Sequence, residues 1–149
     1  MTDADAPCNG CTRCAMRCTD GIAISEFEFT RIREYLRALP PAQALRVLEQ
    51  EKRRPWSEEA SYTACLFLDV ETDLCLVYPA RPLICRLFGR VRHLPCPIER
   101  IPAVLDADRV LDAYTAQPLG TFQHWMARHG VFNFTDLLGA ACPPARYEL

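Results

Sequence analysis

Cysteine is the residue type in this chain most able to do chemistry, and nine are present. Four crowd the N-terminus: Cys8, Cys11, Cys14 and Cys18, in the spacing C-x2-C-x2-C-x3-C. Four more, Cys65, Cys75, Cys85 and Cys96, come at nearly even intervals through the middle, and Cys142 stands alone near the end. Two-residue gaps let a backbone curl around one centre, so that successive thiolates converge while amide N–H groups point at the sulfurs. Gly10 eases that close approach, because glycine has no Cβ to obstruct it. The chemistry such a set supports is binding of a soft metal ion or cluster, either iron–sulfur or zinc.

The N-terminal run has the ligand spacing of bacterial iron–sulfur ferredoxins, with Thr19 in place of the proline found there. In two-cluster ferredoxins the fourth cysteine serves the other cluster and a second copy of the motif completes the set. No second copy exists here, so Cys8, Cys11 and Cys14 need a fourth thiolate from Cys18 or from the middle group. A cysteine on a strand also serves as a small buried hydrophobe. Four at such regular intervals point to ligands instead. Eight thiolates can serve one site with spares, or two sites.

Arginine is the second signal. Arg13, Arg17, Arg81, Arg86, Arg90 and Arg92 sit in or beside the cysteine segments of a chain with a single lysine. A centre with four thiolates is anionic, and guanidinium groups beside it lower thiolate pKa and offset the charge. Arg81 and Arg86 flank Cys85 and are the expected outer partners of a bound centre. His93, three residues before Cys96, is expected at the surface rather than as a ligand. His124 and His129 are five apart on an expected helix, on different faces, and make a poor metal pair. Cys142 is expected to be structural.

The elements that must position these groups are read from hydrophobic period and punctuation. Ser25 and Glu28 form a capping box ahead of Phe29, Ile32, Leu36 and Leu39 at helical spacing, with Pro40-Pro41 as the stop. A second helix with a thinner stripe (Ala44, Leu45, Leu48) is expected from Pro41 to about Arg54, lying on the surface. Cys65–Val70 and Leu74–Tyr78 read as a β-hairpin around Glu71-Thr72-Asp73, which would set Cys65 nearly opposite Cys75. Pro82–Phe88 reads as one or two helical turns closed by Gly89. The tail returns to helix over Val104–Thr115 and Thr121–His129, with Gly130 just beyond. Trp56, Tyr62, Trp125 and Phe132 are expected core or rim aromatics. The expectation is a single 1–149 domain, mainly α with a small β-hairpin (α+β), around an irregular cysteine-rich metal-binding core.

Cys75-Leu76-Val77-Tyr78-Pro79-Ala80-Arg81-Pro82-Leu83-Ile84-Cys85-Arg86-Leu87-Phe88 resembles the signature C-x-[IV]-Y-x2-R-P-x2-C-R-x-F of the YkgJ-type cysteine-cluster family. Cys65-Leu66-Phe67-Leu68 is similar to its C-P-F-L element, with Leu66 in place of proline, and Cys96-Pro97 to its last cysteine. The resemblance runs from about residue 8 to residue 97, and the tail 98–149 lies outside it. It implies a zinc- or iron-chelating domain with eight cysteines, related to the cysteine-rich part of flagellin lysine N-methylases. The family opens with C-x2-C-G-x-C-C, whereas Thr12 and Ala15 occupy the glycine and last cysteine positions here. Cys18, one helical turn on, is placed to restore the lost thiolate.

Length and composition narrow the remaining classes. A chain of 149 residues, half apolar and 24% charged, has globular composition and is long enough to bury a core without cross-links. A net charge of −2 with no basic run lacks the footprint of a nucleic-acid binder. No apolar stretch reaches the ~18 residues that would span a bilayer. The acidic start, Met1-Thr2-Asp3-Ala4-Asp5, is unlike a secretory signal, so a reducing cytoplasmic setting is expected, where thiols bind metal rather than pair. No nucleotide-binding glycine loop, catalytic triad or paired acid/base motif stands out. The leading expectation is a metal-binding protein holding a 4Fe-4S cluster or zinc. A redox or methyl-transfer-related enzyme using that centre, and a zinc-stapled interaction module, are the alternatives.

Overall fold

Ser25 starts the first helix as the sequence predicts: its Oγ accepts the Glu28 N–H at 3.2 Å while the Glu28 carboxylate accepts the Ser25 N–H at 3.1 Å. The computed structural model describes residues 15–88, 90–91, 94–96, 103–104 and 106–139. Helix α1 (Glu26–Ala38) buries Phe29, Ile32 and Leu36 completely and stops ahead of Pro40-Pro41. A second helix, α2 (Pro41–Leu48), comes next with proline at its first position.

Two expectations for α2 are corrected. It ends at Leu48, not near Arg54, and it is not a mere surface element, since Ala44, Val47 and Leu48 are buried. The chain instead enters strand β1 (Arg53–Pro55), paired antiparallel with β2 (Ser61–Thr63) in the register Arg54↔Tyr62. Pairing is the physical reason: Lys52 O accepts the Ala64 N–H at 2.7 Å and the next three residues join the ladder, which draws the segment out of the helix. Trp56 N–H and Ser57 N–H then donate to Ala60 O and close the loop.

The predicted hairpin forms as β3 (Leu68–Asp69) and β4 (Leu74–Cys75), but shifted in register. Leu68, not Cys65, stands opposite Cys75. The Asp69 carboxylate accepts the Glu71 N–H at 3.0 Å, and Asp73 takes a left-handed φ of 59°. That side-chain turn moves the bend toward the C-terminus and leaves Cys65 in a separate turn, closed by Leu68 N–H to Cys65 O at 3.0 Å. A 3-10 turn, Tyr78–Ala80, leads to the short helix α3 (Leu83–Leu87), within the span expected. Gly89 lies outside the described residues. A third small ladder, β5 (Arg90–Val91) with β6 (Leu94–Pro95), was not legible among the prolines.

Helices α4 (Ala107–Thr115), α5 (Phe122–Arg128) and α6 (Phe134–Leu138) complete the described chain. The first two fall where the sequence places them, α5 with Thr121 as N-cap and Gly130 beyond it at φ 73°. The last was not expected; Asn133 caps it and the left-handed Gly139 ends it. Helix α1 packs on α5 and α6, with Phe29 4.8 Å from Phe122 between ring centroids. Phe67, just before β3, meets Phe122 edge-on at 5.0 Å and so anchors the hairpin to the helical core. Ile24 and Gly120 exchange backbone hydrogen bonds at 2.8 and 2.9 Å, and Trp125 Nε1 donates to Ile24 O. Of the four aromatics expected in core or rim, Trp125 is buried, whereas Trp56 (63% exposed) and Phe132 (79% exposed) face solvent. Trp56 packs its ring edge-on against Tyr62 instead. The architecture is α+β: helices around an aromatic core, with three two-stranded antiparallel ladders among the described residues.

Candidate metal centre

The expected ligands divide by what the structure describes. Cys8, Cys11 and Cys14 lie outside the described residues, as do His93, Arg13, Arg92 and Cys142. Cys18, Cys65, Cys75, Cys85 and Cys96 lie inside them, each half-buried.

Four separate segments deliver four of these thiols to one region. Cys18 ends the 3-10 turn Ala15–Arg17, and its carbonyl accepts the Cys65 N–H at 2.7 Å. A bridge between Thr19 and Ala64 extends that pairing. Cys65 packs at the junction of two apolar clusters: the main helical core, and a smaller one of Ala15, Ala64 and Leu68. Cys75 closes β4, while Cys85 sits in α3 after the Arg81-Pro82 step. The Arg17 guanidinium lies 6.0 Å from the Phe88 ring centroid and links the N-terminal turn to the end of α3.

Charges of other cysteines reach Cys75 and Cys85. Burial pushes the Cys75 thiol up to about 12, with further upward contributions from the charges of Cys65 and Cys18. Burial raises Cys85 further, and Cys65, Cys75 and Cys18 add to it. Cys65 is also raised, mainly by burial. Burial and the neighbouring sulfur charges together disfavour bare thiolates at Cys75 and Cys85. A bound cation reverses that balance, because it stabilises every thiolate at once.

Basic side chains stand beside this unit. Arg81 opposes the rise at both Cys75 and Cys85; its side chain stacks 3.8 Å from the Tyr78 ring centroid while Nε donates to Tyr78 O at 3.0 Å. Arg86, by contrast, is exposed on α3. Lys52 opposes the rise at Cys65 and is itself only 8% exposed.

Glu28 supports the same region from α1. Beyond its capping role, the buried carboxylate accepts the Leu83 N–H at 2.6 Å, at the start of the cysteine-bearing α3, and the Tyr114 hydroxyl from α4. Sequence reasoning saw Glu28 only as a cap and Lys52 only as the single lysine. A buried acid at a cap position and a lone lysine amid arginines were the signals available.

Among the described residues, no three Cys, His, Asp or Glu side chains converge closely enough to hold an ion by themselves. The donor set nonetheless fits zinc or iron in kind: soft sulfur ligands, largely buried, with guanidinium and ammonium groups at their backs.

An α+β chain with eight cysteines between residues 8 and 96 defines the class: a cysteine-cluster protein. The family model CxxCxxCC, "Putative zinc- or iron-chelating domain", matches residues 7–112, and the chain belongs to that family. It is the cysteine-cluster family that the Tyr78–Cys85 signature resembles, and the match reaches past Ile98 into α4. No curated protein and no solved structure matches the chain. No described helix is long and apolar enough to cross a membrane.

Proposed function

We propose that this protein holds a metal–thiolate centre, with Cys18, Cys65, Cys75 and Cys85 as its inner set and Cys8, Cys11, Cys14 and Cys96 as the remaining donors. The observation that carries the reading is the Cys65 N–H to Cys18 O contact, with the charges of Cys18 and Cys65 reaching buried Cys75 and Cys85, in a chain of a zinc- or iron-chelating family. A 4Fe-4S cluster is the first assignment, favoured by the C-x2-C-x2-C spacing, with zinc as the alternative. Arg81 supplies positive charge beside Cys75 and Cys85, and Arg86 a second guanidinium at the helix surface. The reducing cytoplasm suits such thiols, and neither nucleic acid nor membrane is needed as a partner.

When bound, the metal supplies charge neutralisation and, if it is iron–sulfur, a one-electron couple. The chain's own part is to present thiolates, exclude water with Leu68 and Phe67, and hold the hairpin on the helical core through Phe67 and Phe122. Elemental analysis with an absorption spectrum on anaerobically purified protein tests the reading. Brown protein with a broad charge-transfer band identifies iron–sulfur, and colourless protein with stoichiometric zinc identifies the alternative. Absence of tightly bound metal in both aerobic and anaerobic preparations would remove it. Reversible reduction separates a redox role from a fold-stapling one, in which metal removal unfolds the chain without any redox response.

A further inference from the structure

We propose that Lys52, the only lysine of the chain, is the internal counter-cation of the thiol cluster, clamped behind Cys65 to hold its loop and to offset the charge of its thiolate. The inference rests on the metal–thiolate reading above and deepens it by naming an outer residue that tunes the site.

The geometry around Lys52 is unusual for a lysine. Its residue is 8% exposed, although burying an ammonium is costly unless charge or hydrogen bonds replace water. The Nζ donates to Leu68 O at 2.5 Å and to Gln50 Oε1 at 3.2 Å, both neutral oxygens. Asp69 is committed elsewhere: Arg46 reaches its Oδ2 at 2.7 Å and Gln50 Nε2 its Oδ1 at 2.8 Å. Among the described residues, the ammonium therefore has no carboxylate in hydrogen-bond contact.

Its backbone is fixed to the same loop. Lys52 O accepts the Ala64 N–H at 2.7 Å, one residue before Cys65, while Nζ holds the carbonyl three residues after it. Lys52 thus brackets the Cys65–Leu68 turn on both sides. Among the charges it senses, that of Cys65 is the strongest, ahead of Asp69 and Arg46. A compact ammonium suits this enclosed position, whereas a surface cation would be screened by solvent.

The test uses the full chain and two variants, Lys52→Met, which removes the charge at similar length, and Lys52→Arg, which keeps it. Zinc affinity is measured by competition with a chromophoric chelator, and folding by far-UV circular dichroism. Lys52→Met is expected to bind zinc about 10–100-fold more weakly while folding normally, and Lys52→Arg to stay near wild type. Wild-type affinity in a folded Lys52→Met protein would overturn the proposal. If Lys52→Met fails to fold, a third variant, Lys52→Gln, which removes the charge but keeps a hydrogen-bond donor, decides: zinc binding weakened about 10-fold or more supports the charge role, and wild-type affinity refutes it.

A metal-free arm separates this proposal from the chelation reading. If the wild-type chain takes no metal, that reading fails, and alkylation of Cys65 by iodoacetamide, with peptide mass spectrometry as the readout, judges Lys52 alone. Cys65 is expected to react several-fold more slowly in Lys52→Met than in wild type, with Cys75 unchanged as the internal reference. Equal Cys65 rates would refute the proposal.

Discussion

The Cys65 N–H donates to the Cys18 carbonyl at 2.7 Å, so two thiol-bearing residues far apart in sequence are joined directly through their backbones. The bridge between Thr19 and Ala64, next to them, fixes the register of that contact. Cys18 and Thr19 are thereby docked on the loop that carries Cys65.

Removal of a thiol from the joined set should remove metal. Cys18→Ser, Cys65→Ser and Cys85→Ser are each expected to lose most of the metal found in the wild-type chain, and Cys11→Ala and Cys14→Ala to do the same as members of the N-terminal donor group. Cys142→Ser is expected to retain it. Metal-to-protein ratios measured by mass spectrometry after identical purification decide this, and equal ratios across all of these variants would contradict the assignment.

Arg81 and Arg86 should differ. The Arg81 side chain is held by Tyr78 and its charge opposes the upward shift at Cys75 and Cys85, whereas Arg86 is exposed. Arg81→Met is expected to weaken metal binding about 10-fold or more, in the range for outer partners of metal ligands. Arg86→Met should change affinity much less. Parallel chelator competitions on the two variants give the comparison, and equal effects would show that general surface charge, not placement, matters.

Glu28 ties three elements together, and its loss should be felt in both stability and metal retention. Glu28→Ala leaves the Ser25 N–H and the Leu83 N–H without their acceptor and the Tyr114 hydroxyl with only Ala23 O, at 3.4 Å. The cost is expected to be about 2–4 kcal/mol, from a lost cap and newly unsatisfied buried donors. Tyr114→Phe removes only one of these bonds and should cost less. Urea unfolding of the metal-free proteins measures both.

The pH dependence carries a definite sign. In the metal-free chain, Cys75 is raised from the ordinary thiol value of 9.0 to about 12, and Cys65 and Cys85 are raised too. A thiol with a raised folded pKa lends stability that is fully present below its ordinary value and lost as pH climbs through the folded value. Metal-free protein should therefore lose thermal stability as pH rises from about 9 toward 12. Metal binding has the opposite sense: protons must leave the ligands, so affinity should fall as pH falls. Melting curves and metal competition across that pH range test both, and a flat profile in either would count against coupled thiols.

How much of the molecule was readable in the sequence depends on how local each signal is. The capping box at Ser25 and Glu28, the prolines that end α1, the Thr121 cap and the Gly130 stop are decided within a turn of chain, and each element falls where expected. The hairpin was legible as an element but not in register, because the Asp69 side-chain turn, not the hydrophobic pattern, sets which residue faces Cys75. Strand β1 exists through its pairing with β2, and α6 through packing on α1 and α2, so neither left a periodic pattern strong enough to see. For the candidate site, cysteine spacing picks out the thiols proposed as ligands. The backbone contact that joins residues 18 and 65, and the hydrogen bonds of Glu28 and Lys52, span many residues and leave no local pattern to read.

X-ray absorption at the metal edge of freshly purified protein tests the metal–thiolate centre most directly. The expected result is a first shell dominated by sulfur at about 2.3 Å, with the sulfur count reduced in Cys65→Ser or Cys85→Ser. A shell of oxygen and nitrogen alone, or one unchanged by both substitutions, would contradict it.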